Sequence, residues 1–404
     1  MIRALALGSV PFSTPRLPAA LLAVALLIAG CGGGGGGGPG GGDSSTPALG
    51  QDGGESGAAG ALGFPAFATK NTTRVGGADP VADAAGVARA VYPARSRDTR
   101  PPAVTLVDRD DWRTAISAAQ LMADPIRAPV LFSEGDELPE ATDAALEALG
   151  PPGAPQAGGA QVLRMGAAPA PDGLKATDVK GADFAALARG IDRLATSAAG
   201  TASEAVIVAP ADAPAFAMPA AGWAAKSGDP VLWAGRDSLP PDTRAAIESH
   251  QRPRIYVLGP PSAISENVER ELSRLGRTTR IEGRDPVENA IAFARFSDGR
   301  FGWNVVDPGH GLVFASTGRT AEAAAAAPLS ASGAYGPLLL LPDANTLPES
   351  LQNYLLDIQP GYRTDPVRGV YNHGWLMGDE QAISLDVQAR IDTLLEIQAV
   401  DEER

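Results

Sequence analysis

The sequence predicts an α/β protein: three tandem parallel-sheet units carried on a glycine-rich tether. Three observations carry that reading. The segments TRVGGADPVADAAGVA, TDVKGADFAALARGID and TRIEGRDPVENAIAFA align without gaps from Thr73, Thr177 and Thr279, so the repeat lies at offsets of 104 and then 102 residues. Self-similarity at a fixed period marks a repeat architecture. Short apolar runs alternate with helical patterns of about a dozen residues, the signature of βαβ crossovers and of sheets covered on both faces. From Gly32 to about Gly63 no apolar periodicity of either kind is found, as expected of a flexible linker.

Each repeat runs through the same elements in the same order. The aligned segment places Asp79-Pro80 and Asp285-Pro286 as an N-cap with proline at the first helical position, with Glu288 at the third position as in a capping box. Gly77, Gly181 and Gly283 permit a tight turn just before it. An apolar strand follows at Val104 to Val107, Val206 to Val208 and Leu312 to Phe314, leading into an alanine-rich helix. A second strand comes at Pro129 to Leu131, Pro230 to Leu232 and Pro337 to Leu339. A Leu-Pro pair at 138 to 139, 239 to 240 and 347 to 348 then opens another helix. A third strand ends in glycine at Gly166, Gly259 and Gly378. In the last two units a final helix follows, with Ser265 and Ser384 suited to N-caps and apolar stripes Ile264, Val268, Leu272, Leu275 and Ile383, Val387, Ile391, Leu394. In the first unit Ala167 to Gly173 is short and rich in proline, and that helix is expected to be missing.

The N-terminal region reads as an export and anchoring signal. Arg3 and Arg16 precede an apolar stretch from Leu21 to Ile28, which ends in Ala29-Gly30-Cys31. The run Leu27 to Cys31 resembles the lipobox of bacterial lipoproteins, whose cysteine thiol is acylated, and this is the only cysteine. The expected organisation is a signal peptide over 1–30, lipidated Cys31 with its linker over 31–65, and repeats over 66–176, 177–278 and 279–404. Later apolar stretches such as Leu338 to Leu341 are far shorter than the ~20 residues that cross a bilayer. The bilayer is then engaged only through acylated Cys31, at the extracytoplasmic face of the cell membrane. With that cysteine lipidated, no disulfide is available to the fold.

A formal charge of −14 argues against nucleic acid as a partner. His250, His310 and His373 are far apart and form no His-x-x-x-His pair, so no metal site is expected. Neither a dinucleotide fingerprint nor a G-x-S-x-G elbow is present, no cofactor is implied, and the expectation is a non-enzymatic protein. Asp307-Pro308-Gly309-His310-Gly311 reads as a turn into the next strand.

The residues resemble the cell wall-binding repeat 2 family. The glycine and aspartate core of TRVGGADP and TRIEGRDP is similar to its opening motif, and Leu258-Gly259 with Ala263-Ile264-Ser265, and Met377-Gly378-Asp379 onward, to its closing motif. The chain departs from the family where a step such as Asp-Asn-Phe often enters the alanine-rich helix: Asp110-Asp111-Trp112, Ala213-Pro214-Ala215 and Arg319-Thr320-Ala321 stand there. Pro80-Val81 and Pro286-Val287 replace the aromatic of the opening motif. The resemblance implies three Rossmann-like modules around a pseudo-threefold axis, adhering to a cell-wall polysaccharide or peptidoglycan-linked polymer. In parallel sheets ligands bind outside the carboxyl ends of the strands. That directs attention to Asp108 to Trp112, Pro210 to Pro214 and Ser316 to Thr320, with Trp112 and Arg319 as glycan contacts and Arg74 and Arg280 as anion contacts. Two other functions fit export: an extracytoplasmic solute-binding receptor, which would show two lobes and a hinge, and a wall hydrolase, which needs a catalytic constellation not found in the sequence.

Overall fold

The computed structural model describes residues 66–400. Cys31, the signal peptide and the glycine-rich linker lie outside the described residues. Within them the chain is mixed α/β, with three parallel sheets and helices on their faces.

The first sheet holds β3 (Val104–Asp108), β4 (Val130–Ser133), β5 (Val162–Met165) and β6 (Ala176–Val179) in the order β4-β3-β5-β6. The second holds β7 (Ala205–Pro210), β8 (Val231–Ala234), β9 (Arg254–Leu258) and β10 (Arg277–Ile281) in the order β8-β7-β9-β10. The third holds β11 (Gly311–Ser316), β12 (Leu338–Leu341) and β14 (His373–Met377) in the order β12-β11-β14. It is completed from the other end of the chain by β2 (Thr72–Val75), which pairs in parallel with β14, and by β1 (Ala66–Ala68), antiparallel to β2. Two short strands, β13 (Gly361–Tyr362) and β15 (Gln398–Ala399), form a separate ladder.

The strand in each opening segment was not legible in the sequence. TTRV, ATDV and RTTRI have no apolar run, because each is a short edge or near-edge strand with polar side chains. Its placement has a topological consequence. The opening strand of a repeat hydrogen-bonds to the sheet of the repeat before it, as β6 does to β5 and β10 to β9. The opening strand of the first repeat, β2, pairs with the last sheet instead, at registers such as Leu376 opposite Arg74.

The helix that follows each opening strand then bridges to the next sheet. α1 (Pro80–Val91) packs on β4, α4 (Phe184–Ala199) on β8, and α9 (Pro286–Arg295) on β12, so each covers an edge strand of its neighbour. Their starts are fixed locally. Asp79, Asp183 and Asp285 accept hydrogen bonds from the first-turn N–H groups of α1, α4 and α9. Glu288 reaches past Asp285 to the backbone and side chain of Arg284, so the reciprocal half of the expected capping box is displaced by one residue.

The alanine-rich helices form the core between sheets. α2 (Trp112–Ala118) with its 3₁₀ continuation Ala119–Met122, α6 (Pro219–Ser227) and α10 (Glu322–Ala331) pack on one another. Ala220, Ala221, Ala224 and Ala323 to Ala327 are all buried, as expected of helices without a polar face. The small side chains let backbones come close: a Cβ on Gly222 would lie 2.8 Å from Ser330 Oγ. A short helix α5 (Pro214–Ala217) precedes α6. The Leu-Pro helices are α3 (Glu140–Leu149), α7 (Pro241–Ser249) and α11 (Glu349–Asp357); the final helices are α8 (Glu266–Leu275) and α12 (Leu385–Leu395). No helix stands between β5 and β6 in the first repeat.

Candidate functional site

The carboxyl ends of the third sheet bring together three turns from distant parts of the sequence. After β2 the chain passes through Gly76, at φ +134°, where a Cβ would fall 2.1 Å from Asp83 Oδ1. After β14 it passes through Gly378, at φ +80°, where a Cβ would fall 2.8 Å from Arg319 Nη1. After β11 it passes through Arg319 to Glu322, the first residue of α10. Only glycine satisfies both the backbone and the contact at those two positions.

Between the turns lies a buried charged cluster. Asp83 Oδ1 accepts from Gly77 N at 2.5 Å, and Asp83 Oδ2 from Arg319 Nη2 at 3.1 Å. Arg319 Nε lies against Glu322, and Arg319 Nη1 is 3.7 Å from Asp379 Oδ1. Asp83 and Glu322 are wholly buried, while the Arg319 side chain is 19% exposed. Burial pushes the Asp83 carboxyl up to about 6, against the opposing pull of Glu322, Gly77 and Arg319. Burial and the adjacent Asp83 hold Glu322 well above the usual carboxylate range. Asp83 and Glu322 both face Arg319, and a single arginine cannot neutralise both. The cluster is a charged clasp that ties α1 and the turn after β2 to the last repeat.

Asp83 and Glu322 were missed in the sequence, although a signal exists. In the aligned repeats the position of Asp83 is held by Leu187 and Asn289, an apolar-facing site on the helix. Asn289 keeps the backbone bond, accepting from Gly283 N at 3.2 Å, and Phe216 stands beside Gly259 where Arg319 stands beside Gly378.

Arg74 and Arg280 occupy matching places as internal clamps. Arg74 donates to the carbonyls of Gly378, Asp379 and Ile383 at 2.9, 2.7 and 2.7 Å and to Gln388 Oε1 at 2.8 Å. Arg280 donates to the carbonyls of Gly259 and Ile264 at 2.7 and 2.9 Å and to Glu269 Oε2 at 2.7 Å. Arg280 fastens the turn and final helix of the second repeat to the strand that opens the third, and Arg74 fastens those of the last repeat to the strand that opens the first. In the first sheet the arginine has crossed to the neighbouring strand: Arg164, in register with Asp178, donates to Ala168 O at 2.7 Å and to Asp178 Oδ1 at 3.0 Å.

Trp112, capped by Asp111, begins α2. Its ring meets Trp233 of the second sheet edge-on, with centroids 5.4 Å apart, and the Arg113 guanidinium lies 4.4 Å over it. Arg113 also donates to Ala211 O at 2.8 Å. The structure thus brings two of the expected loops, those around Trp112 and Pro210, into contact, and turns Arg319 inward at the third. Among the described residues no group of three or more His, Cys, Asp or Glu side chains is placed to hold a metal ion. No described helix is long and apolar enough to cross a membrane.

Residues 188–269 and 280–388 match the family model of cell wall binding domain 2 (CWB2). Those two stretches are similar to the repeats of this cell wall binding family. A likeness of fold extends further than the matched sequence. Cwp8 from Clostridium difficile superposes with a TM-score of 0.62 at 18% identity, over 80% of this chain and 52% of that one. Cwp6 from Clostridium difficile does so with a TM-score of 0.61 at 16% identity, over 80% of this chain and 49% of that one. The chain thus spans about half the length of either. Among curated proteins no sequence matches. The first repeat lies outside the CWB2 sequence match, and it is also the repeat in which the arginine clamp is rearranged and the final helix is missing.

Proposed function

We propose that this chain is a lipid-anchored, extracytoplasmic protein that binds a cell-wall polymer through its tandem CWB2 repeats and performs no chemistry on it. The observation that carries the reading is the match of two repeats to the family model of a cell wall binding domain. The run from Leu27 to Cys31 supports the anchor. One acyl chain gives only reversible membrane attachment, so durable anchoring calls for a multiply acylated cysteine. For the polymer contact, the half-buried Trp112 under Arg113 supports a stacking surface at the junction of the first two sheets. The Arg74 and Arg280 donors are occupied within the chain, so we place neither in the contact.

The test is co-sedimentation of the lipid-free chain with purified cell walls. Retention without soluble fragments is expected. Loss of retention overturns wall binding, and released fragments overturn the non-catalytic reading. Trp112→Ala is expected to weaken retention, checked against its melting profile because the ring also packs on Trp233. Cys31→Ser is expected to move the protein out of the membrane fraction; unchanged partition overturns the anchor.

A further inference from the structure

The first repeat carries a groove where the other two carry a helix. In the second repeat α8 lies along α7, and in the third α12 lies along α11. Each pair is stitched at the same two positions: the fourth residue after the second member of the Leu-Pro pair, and the sixth after the N-cap serine. In the second repeat these are Arg244 and Glu271, which form an ion pair. In the third they are Gln352 and Arg390, with Arg390 Nη2 donating to Gln352 Oε1 at 2.9 Å.

The equivalent position on α3 is Asp143, which is exposed. Between β5 and β6 the chain runs from Gly166 to Lys175 without a helix. That leaves an open groove of about 640 Å³ beside α3. Its apolar lining includes Leu138, Leu146 and Leu174, and its charged lining is acidic throughout: Asp136, Asp143, Glu147 and Asp172. Among the described residues Asp143 and Glu147 make no ion pair. The fold beneath is complete without a covering helix, since Asp178 supplies Arg164 with the acceptor that Glu269 and Gln388 supply to the arginines of the other repeats.

We propose that this groove docks a basic amphipathic helix from another protein, lying along α3 as α8 and α12 lie along α7 and α11 and setting a Lys or Arg against Asp143. The pairings argue for the sign of the charge: arginine on α7 meets glutamate, glutamine on α11 meets arginine, and an aspartate on α3 calls for a cation. The chain's own linker cannot supply it, because no Lys or Arg occurs from Gly32 to Pro65. A second copy is disfavoured by a formal charge of −14 on each chain.

The probe is a helix-stabilised, fluorescently labelled peptide with the sequence of residues 384–395, in which Arg390 is kept and Asp386 and Asp392 are changed to Lys. Its partner peptide keeps both aspartates and carries Arg390→Glu. Anisotropy titration against the full-length, lipid-free chain is expected to give at least about tenfold tighter binding of the basic peptide. The paired change Asp143→Lys with Glu147→Lys is expected to weaken that binding by about tenfold or more, since each reversed exposed charge contributes up to about fivefold. Both side chains are exposed, so an unchanged thermal melt separates lost docking from lost folding. Equal binding of the two peptides, absence of binding, or insensitivity to the charge reversal overturns the proposal, as does sedimentation showing that the groove closes in a homodimer.

Discussion

Replacing Asp83 by Asn is the sharpest perturbation of the clasp, because the protein already makes the same exchange at Asn289, which retains the bond from the preceding glycine N–H. The Asp83 carboxyl moves from its ordinary 3.8 to about 6 on folding, chiefly through burial. At ~1.36 kcal/mol per pKa unit this amounts to about 3 kcal/mol. The sign follows from proton binding. Between pH 4 and 6 the folded chain holds a proton at this site that the unfolded chain has released, so stability contributed by the site falls as pH rises through that window. Below it both states are protonated, and above it the folded state holds Asp83 as a buried carboxylate beside Arg319. In the Asn variant Glu322 is left as the only wholly buried carboxylate facing Arg319. Urea unfolding of both chains at half-unit steps from pH 4 to 7.5 reads Asp83 together with its neighbour Glu322, because titrations elsewhere in the chain cancel in the difference. The variant is expected to gain up to about 3 kcal/mol on wild type across that interval. A difference that stays constant with pH, or one that moves in wild type's favour as pH rises, refutes the account of a proton held at Asp83.

Arg74→Met removes the donor to three carbonyls and Gln388 and is expected to cost about 3 kcal/mol or more, read from the urea midpoint, with Arg280→Met comparable because it removes the donor to two carbonyls and strips Glu269 of its charged partner. His250 lies between two acceptors, Ser203 O at 2.8 Å and Asp192 Oδ2 at 2.9 Å, so both ring nitrogens must donate. Burial alone would push its pKa down, but the hydrogen bond and charge of Asp192 raise it above 6.5; its stabilisation is full below that value and lost as pH rises through the folded pKa. A histidine NMR titration checks this, and a midpoint below 6.5 would contradict it. Gly222→Ala places a methyl against Ser330 and is expected to destabilise by about 1 to 3 kcal/mol, with partial recovery in the Gly222→Ala, Ser330→Ala pair.

Much of the fold was legible because its signals are local. Asp79 and Asp285 cap their helices through atoms two or three residues away, the Leu-Pro pairs open α3, α7 and α11, and Leu338 to Leu341 cannot be anything but buried. The site was less legible. Arg74 and Arg280 were identified as a matched pair, but their partners lie at carbonyls that any residue could supply, and carbonyls leave no trace in a sequence. Arg319 was identified as a loop residue without its partners, because Asp83 lies 236 positions away.

By itself the sequence determined the repeat, the order of strand and helix within it, and the absence of a final helix in the first unit. These follow from periodicity, capping chemistry and composition, all of which act over a few residues. Only the tertiary structure decided that each opening strand belongs to the preceding sheet, that β2 therefore closes the last sheet, and that two buried carboxylates share Arg319 at that closure. Strand pairing and ion pairing between segments hundreds of residues apart depend on which surfaces are left uncovered after local elements form, and that is a property of the packed chain.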